Sequence, residues 1–527
     1  MTAHFTVPAG SAQDPAVATE APARIRLAAA LAAAPVAFGI AWRLLRYGLD
    51  FPVWGDEAML ALNVLDGDPA RFLEPLRYNQ VAPLLFLLAE KAIGSLLGYS
   101  GQALRLLPLL AAILGVAAFG ALARRLLDPL AAALATGALA VSYYPVRQAC
   151  EVKPYSLDLA FSALLLLLAV AWRQAPRSRA APLLLVLVVP VATGSSFPSV
   201  FVAGAVSLAL IPSVVLRGDT VARALWGLFN LLLVTSFAAF QLLVGTTPEA
   251  GEYLRYYWAA AFPPADPLAL AGWLVSTHLG PVLAHPWGGN NAGSFVTTLL
   301  SAAGLAALAR RRDRALLVLL LGPFALTLVA AALRRYPYGG APRLAQHLAP
   351  PVCLLLGAGL ADLVLRLGRT EAARRRAGAA LLSGLCLFAS GGMLRDVLKP
   401  YKAAGDRAAA ELVKRLQREA APPSVVVLVG GERPVPASVE YLFRVSGLDV
   451  SGGPSRPWAG IPPDASRVVI VRFGVEGSDE RRLLDELAAS RPPFVAGPAE
   501  RLFFRFGWSH DPPVAAILTV LRRAPGG

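Results

Sequence analysis

Long apolar blocks bounded by charged residues constrain the fold of this chain more than any other feature. Two of them are "RALLVLLLGPFALTLVAAAL" (314–333) and "LAPPVCLLLGAGLADLVL" (348–365). A helix rises about 1.5 Å per residue, so about 20 apolar residues span a hydrocarbon core about 30 Å thick. Because about ten or more such blocks follow one another, we predict a multi-pass α-helical membrane protein.

The blocks predict about eleven spanning helices. Their ranges are 27–46, 104–123, 129–146, 155–172, 181–195, 198–216, 222–244, 294–309, 314–333, 344–365 and 377–397. The segment 81–98 is not counted, because it is short and carries Glu90 and Lys91 in its middle. Each charge at the bilayer centre costs about 2.5–3.5 kcal/mol. We therefore predict that 48–103 is one long external loop with interfacial or re-entrant helices.

The charge distribution predicts orientation. The chain is 56% hydrophobic and 16% charged, with a net charge of +15. In a soluble chain that excess would suggest nucleic acid, but the arginine clusters fall on alternate connections between apolar blocks, as the positive-inside rule requires. We expect a plasma (inner) membrane protein with a cytoplasmic N-terminus, membrane lipids around it and no nucleic-acid partner. Three cysteines are too few for a disulfide framework.

The two ends of the chain differ in character from the apolar blocks. Residues 1–26 are rich in Ala and Pro and predict a disordered tail, and 27–398 form the membrane domain. In 399–527 an amphipathic helix (406–420) precedes the strand-like runs "SVVVLVG" (424–430), "RVVIVRF" (467–473) and "PVAAILTVL" (513–521). The predicted fold is an α-helical polytopic membrane protein with a small, soluble, extracytoplasmic α/β domain at its C-terminal end.

Acids, cations and aromatic residues collect in the loops that this topology places outside. These loops contain "WGDEA" (54–58), "RYNQVAPLL" (77–85), "YYPVRQACEVKPYSL" (143–157) and "RRYPYGGAPRLAQHLAP" (334–350). Their convergence on one membrane face suggests a substrate site with phosphate and sugar character. No spacing typical of a metal site is visible, and the sequence leaves open whether a divalent cation is required.

The order of these motifs resembles the C-type, multi-pass membrane glycosyltransferases. The resemblance rests on the Asp56-Glu57 pair after the first membrane helix, on "NQVAPL" followed by "LRLLP" (104–108), and on "EVKPYSL" (151–157). It covers about 27–210, with an echo in "YPYGGAPRL" (336–344). Within that group the pattern is similar to protein O-mannosyltransferases and to lipid A aminoarabinose transferases.

The resemblance implies a donor sugar linked to polyprenyl phosphate, a lipid, glycan or protein acceptor, and inversion at the anomeric carbon. Asp56 matches the residue that acts as base or orients the acceptor, Glu57 the second acid of the pair, and Glu151 a further carboxylate of the second external loop. Lys153 stands where an Arg is common, which keeps the charge but loses the planar fork.

The residue chemistry supports the same assignment. A positioned carboxylate that accepts the proton of a sugar hydroxyl contributes about 10²–10⁴-fold to the rate, and two adjacent acids would raise one pKa. We expect the donor phosphate to be bound by Arg343, which follows the tight turn at Gly339-Gly340, and by Lys153 and Arg147. The further candidate substrate-binding residues are Tyr155, Asn79, Gln80 and His347.

Simpler roles are open for several of these residues. Asp56 could cap a helix that starts at Glu57, Arg147 and Glu151 could be a helical ion pair, and Lys153 could snorkel to the interface. The alternative function is a transporter or flippase of a lipid-linked or anionic substrate. Such proteins usually show internal repeats and ionisable residues within their spans, and we detect no repeat in this sequence.

Overall fold

The computed structural model of the chain describes residues 33–245, 247–289, 292–419, 424–430, 435–447, 449–451, 466–473, 494–505 and 514–523. The predicted disordered tail, 1–26, lies outside them. The first part of the described chain is helical and the last part contains a β-sheet.

Nineteen helices are labelled here in chain order within the described residues. The first twelve are α1 (33–48), α2 (Gly55–Asp66), α3 (Leu84–Leu97), α4 (Gly101–Leu104), α5 (Leu106–Leu126), α6 (Pro129–Ala140), α7 (Tyr143–Gln148), α8 (Tyr155–Gln174), α9 (Ala180–Ser195), α10 (Ser199–Leu210), α11 (Thr220–Leu243) and α12 (Pro248–Tyr257). The others are α13 (Pro267–Thr277), α14 (Phe295–Ala309), α15 (Arg314–Ala332), α16 (Ala349–Leu367), α17 (Glu371–Leu398), α18 (Ala404–Glu419) and α19 (Ala437–Arg444).

Six helical segments among the described residues are long and apolar enough to cross a membrane. They are Gly101–Leu126, Tyr155–Gln174, Thr220–Leu243, Arg314–Ala332, Pro342–Leu367 and Glu371–Leu398. Four shorter apolar segments are Pro129–Ala140, Ala180–Ser195, Ser199–Val215 and Phe295–Ala309. The chain is therefore a multi-pass membrane protein, whereas the count of about eleven spans stays a prediction.

The predicted span 129–146 is divided into two helices. α6 ends at Ala140 and α7 begins at Tyr143. Pro145 has no backbone N–H, and its ring would clash with the carbonyl group four residues earlier, that of Val141. The break therefore follows from the proline.

Small residues let two of the membrane helices approach closely. A Cβ atom added to Gly304 of α14 would overlap the carbonyl oxygen of Leu355, and one added to Gly359 of α16 would overlap that of Leu300. Close backbone contact of this kind drives helix association in lipid, where the hydrophobic effect between helices is absent. It fixes α16, the helix that follows the loop with Arg343.

Helix α3 does not separate its two ends by the thickness of a membrane. Before it, the hydroxyl of Tyr78 donates to Glu440 at 2.8 Å. After it, the carbonyl oxygen of Tyr99 accepts from the hydroxyl of Tyr441 at 2.7 Å. Glu440 and Tyr441 are neighbours on α19, so both ends of α3 lie on the same side as that helix. This geometry favours the interpretation of 81–98 as a segment that does not cross.

Six strands of the C-terminal sheet lie within the described residues: β1 (Ser424–Gly430), β2 (Asp449–Ser451), β3 (Arg467–Phe473), β4 (Phe494–Ala496), β5 (Glu500–Phe504) and β6 (Val514–Arg523). Their order is β2-β1-β3-β6-β4, and β5 also pairs with β6. β1 is parallel to β2 and β3, and β6 is antiparallel to β3, β4 and β5. The three runs identified in the sequence are β1, β3 and β6.

The C-terminal region is docked on the first loop of the membrane domain. Tyr441 is buried in one apolar cluster with Ala58 and Leu62 of α2, and Arg444 lies 2.5 Å from the carboxylate of Asp66 at the end of α2. This contact fixes the helix that carries Asp56 from its outer side.

Candidate active site

Asp56 connects three separate loops of the chain. Its Oδ1 accepts a hydrogen bond from Lys153 Nζ at 3.1 Å, and its Oδ2 accepts one from Arg343 Nη1 at 3.2 Å. Helix α2 begins at Gly55, after Trp54, and no side chain caps it. The capping alternative for Asp56 is therefore wrong, and its carboxylate is directed at the two cations.

The electrostatics of Asp56 differ from the expectation for two adjacent acids. Burial raises the pKa of Asp56, but Lys153, Arg343 and Lys402 more than compensate, so its pKa lies below the usual value and the carboxylate is ionised at neutral pH. The expected rise is absent because the Glu57 side chain points elsewhere.

Glu57 is fully buried and paired with Arg105 of the "LRLLP" motif. Arg105 donates to the two carboxylate oxygens at 2.6 and 2.8 Å, and the backbone N–H of Val152 donates to Glu57 at 3.0 Å. The side chain is 0% exposed. In this structure Glu57 therefore holds α2 against α5 and against the second loop.

Lys153 is buried and lies between two partners. Besides its bond to Asp56, its ammonium group donates to Gln80 Oε1 at 2.7 Å. Burial lowers the pKa of Lys153, and Asp56 partly offsets that effect. The snorkelling alternative is wrong, because the side chain points into the protein. Asn79 lies exposed beside Gln80, outside this cluster.

Arg147 and Glu151 form the ion pair at a helix end that the sequence allowed, with Nε 2.7 Å from Oε1; Arg147 is in the last turn of α7, and Glu151 follows that helix. Glu151 is almost fully buried. Burial raises the pKa of Glu151, but the opposite effect of Arg147 and Lys402 is larger. The pKa of Glu151 therefore lies below its usual value, and the group is ionised. The guanidinium of Arg147 lies 5.8 Å from the centre of the Trp54 ring, so the pair belongs to the wall of the site beside Asp56.

The turn before Arg343 needs glycine. Gly339 and Gly340 have φ values of +81° and +75°, a region that other residues adopt only with strain. A Cβ atom on Gly340 would lie 2.7 Å from Cβ of Ala261. Arg343 leaves this turn with its guanidinium 5.5 Å from the Trp258 ring and reaches Asp56.

His347 and Tyr155 lie beneath the charged cluster. The ring of His347 is fully buried, and its Nε2 is 2.9 Å from Thr327 Oγ1. Its neighbours are the aromatic rings of Phe201 and Tyr336. Tyr155 begins α8, two residues after Lys153. The structure thus brings Asp56, Lys153 and Arg343 into contact and leaves His347 behind them.

Solved structures support the resemblance found in the sequence. No protein-family model and no curated protein matches the chain. The crystal structure of ArnT from Cupriavidus metallidurans in the apo state matches with a TM-score of 0.51 and 13% identity, over 94% of this chain and 98% of that one. Its complex with undecaprenyl phosphate matches with a TM-score of 0.51 and 14% identity over the same shares. The chain has the fold of a C-type membrane glycosyltransferase. An oligosaccharyltransferase from Archaeoglobus fulgidus also matches, with a TM-score of 0.46 and 12% identity over 82% of this chain and 67% of that one.

Three residues of the site in this C-type fold were missed by the sequence analysis. Arg105 lies in the "LRLLP" motif, so the sequence did contain a signal for this residue. Trp54 precedes the acidic pair, and Lys402 places its ammonium 2.7 Å from the centre of the Trp54 ring. Lys402 follows the last long helix, in "KPYKAAGD" (399–406), and no pattern there indicates a role at a site so far away in sequence.

Proposed function

We propose that this protein is a membrane glycosyltransferase that moves a sugar from a polyprenyl-phosphate donor to an acceptor at the external face, with inversion. The observation that supports this most is the position of Asp56 between Lys153 and Arg343. The proposed base, Asp56, is thus hydrogen-bonded to both proposed phosphate-binding cations. Transfer from a phosphate donor requires a base and phosphate-binding groups close together.

The cations suit a phosphate that gains charge during the reaction. As the bond between the anomeric carbon and the phosphate oxygen breaks, the electron pair stays on that oxygen. Arg343 and Lys153 can stabilise this charge through charge-assisted hydrogen bonds. The ends of two helices add to the effect, because Asp56 is in the first turn of α2 and Lys153 lies two residues before α8. Helix N-termini carry partial positive charge.

Asp56 accepts the proton of the acceptor hydroxyl while that oxygen bonds to the anomeric carbon. Its lowered pKa makes it a weak base as long as both cations are bound to it. A donor phosphate competes for Lys153 and Arg343 and so raises the proton affinity of Asp56. Binding of the donor thereby activates the base, and attack opposite to the departing phosphate inverts the anomeric carbon.

Glu57, Glu151, Arg147 and Gln80 take supporting roles in this mechanism. The buried pair of Glu57 and Arg105 sets the position of α2, and Gln80 orients Lys153. Since Asp56, Lys153 and Arg343 lie in the connections and not inside the long apolar helices, the cluster favours transfer at a surface over transport through the bundle.

The test is to supply the purified protein with polyprenyl-phosphate sugars and to measure the release of polyprenyl phosphate. Asp56→Asn serves as the matched inactive control. We expect the parent protein to release polyprenyl phosphate and the variant to release only a small fraction of that amount. If the parent releases no polyprenyl phosphate from any of a broad set of hexosyl and pentosyl donors, in the presence of lipid, glycan and peptide acceptors, the proposal fails.

A further inference from the structure

One cation of the site rests on an aromatic ring and not on a carboxylate. Lys402 lies between α17 and α18, and its ammonium is 2.7 Å from the centre of the Trp54 ring. Trp54 directly precedes the helix that carries Asp56. The segment that leads from the last membrane helix to the C-terminal region therefore returns a positive charge to the site.

Lys402 is the uncommitted cation of the cluster. Lys153 and Arg343 are bonded to Asp56, and Arg147 is bonded to Glu151. Within the described part of the chain, Lys402 forms no salt bridge. Four cations thus stand against Asp56 and Glu151, with Asp406 as a further acid near Lys402, so the cluster has a surplus of positive charge. An ammonium on a ring face is bound less firmly than one in a charge-assisted hydrogen bond and can leave for an anion.

We propose that Lys402 binds the phosphate that leaves the sugar, by moving from the Trp54 ring to the phosphate oxygens. This inference rests on the function proposed above. The donor phosphate is a diester with one negative charge, whereas the product is a monoester with a charge of about −1.5 to −2 at neutral pH. An additional cation that reaches the phosphate therefore favours the product over the donor, and it also favours a transition state in which negative charge grows on the leaving oxygen.

The surroundings of Lys402 make this contact dependent on pH. The charged groups around it are Glu151, Arg147, Arg343, Asp56 and Asp406. Lys402 is an exposed residue, but desolvation of its ammonium beside Trp54 lowers the pKa of Lys402 to about 7, an effect that Glu151 partly offsets. Lys402 is charged below that value and neutral above it, so its contribution to phosphate binding is present at lower pH and lost as pH rises through about 7.

Binding of a short-chain polyprenyl phosphate to the full-length protein in detergent tests the inference, with the corresponding polyprenol as a probe without phosphate. At about pH 6 we expect Lys402→Ala to weaken phosphate binding about tenfold or more and to leave polyprenol binding unchanged. Lys402→Arg should bind like the parent. Lys399→Ala is the matched control, because Lys399 lies near Tyr401 and not at the site.

Comparison of the parent with Lys402→Arg over about pH 6 to 8.5 removes the titration of the ligand itself, which both proteins share. We expect binding by the parent to weaken relative to Lys402→Arg above pH 7. If Lys402→Ala binds the phosphate like the parent at every pH, Lys402 only packs on Trp54 and the inference is wrong. If the parent binds polyprenyl phosphate no more tightly than polyprenol, the proposed function fails as well. The two failures are distinguishable, because only the second one abolishes the preference of the parent for the phosphate.

Discussion

Glu57 accepts hydrogen bonds from Arg105 through both carboxylate oxygens, at 2.6 and 2.8 Å, while its neighbour Asp56 faces the opposite way into the charged cluster. Adjacent residues in a helix are about 100° apart around its axis, so one acid can be directed to the interior and the other to the site. The two acids therefore differ in role: Glu57 holds α2 in place, and Asp56 is the proposed reacting group.

The first prediction concerns the ion pair between Glu57 and Arg105. Glu57→Gln removes the buried counter-charge of Arg105 and leaves only the exposed carboxylate of Asp50, 3.8 Å away, so the free energy of unfolding should fall by up to about 3–5 kcal/mol. Thermal unfolding in detergent measures the change. The double variant Glu57→Gln/Arg105→Gln removes both charges and should recover much of the loss; equal instability of the single and double variants would contradict the pairing.

Asp56→Asn keeps the size of the side chain and removes the base. Turnover should fall about a hundredfold or more. The unfolding temperature should fall as well, because the buried ammonium of Lys153 loses its charge partner, so turnover is measured at a temperature at which the variant stays folded. Release of polyprenyl phosphate and thermal unfolding are measured on the same preparation. Near-normal turnover would transfer the role of base to another carboxylate, of which Glu151 is the candidate beside the cluster.

Arg343 should be sensitive even to a conservative change. Arg343→Lys keeps the charge but loses the planar fork, so we expect a clear loss of activity, and a larger loss in Arg343→Ala. Arg335→Ala is the control from the same loop, because Arg335 is exposed. Donor consumption by Arg343→Ala at the rate of the parent would mean that Arg343 is only an interfacial anchor and that the phosphate contact lies elsewhere.

The glycine turn that directs Arg343 can be tested without changing any charge. Gly340→Ala places a Cβ atom 2.7 Å from Ala261 Cβ at a φ of +75°. Donor affinity should therefore fall together with activity. Gly272→Ala in α13 is the matched control, since nothing lies within 4 Å of its added Cβ, and it should be neutral or slightly stabilising. Equal donor affinities in the two variants would show that the turn does not position Arg343.

The predicted orientation in the membrane can be tested by cysteine labelling. An impermeant thiol reagent applied to intact cells should label a cysteine introduced at Lys414 in α18 and spare one introduced at Arg125 at the end of α5. Both positions are exposed. The native Cys150 and Cys353 are buried, and Cys386 can be replaced by Ser to reduce background. Labelling of Arg125→Cys but not of Lys414→Cys would invert the predicted orientation.

Apolar blocks and short motifs in the sequence were sufficient to predict the long apolar helices, the three longer strands and the loops that converge on Asp56, whereas α12 and α13 were not predicted and the span 129–146 is divided. Asp56 and Lys153 were predicted from the motifs that carry the resemblance, and Arg343 from its position after the tight turn at Gly339-Gly340. The partner of Glu57 was not predicted, since the direction of a side chain depends on packing around α2. Lys402 was missed because no local pattern shows which distant residue a linker contacts.

The hydrogen bond between Tyr441 and Tyr99 joins residues 342 positions apart, and it sets the order in which the protein can be completed. Membrane helices insert as they are synthesised, but the helix that carries Asp56 receives its outer support only after the chain has grown past α19. A chain that stops before residue 399 would contain the six long apolar segments found in the described residues and still lack both Lys402 and the support from α19. Assembly of the site is therefore a late step, and interrupted synthesis leaves a membrane-inserted protein without it.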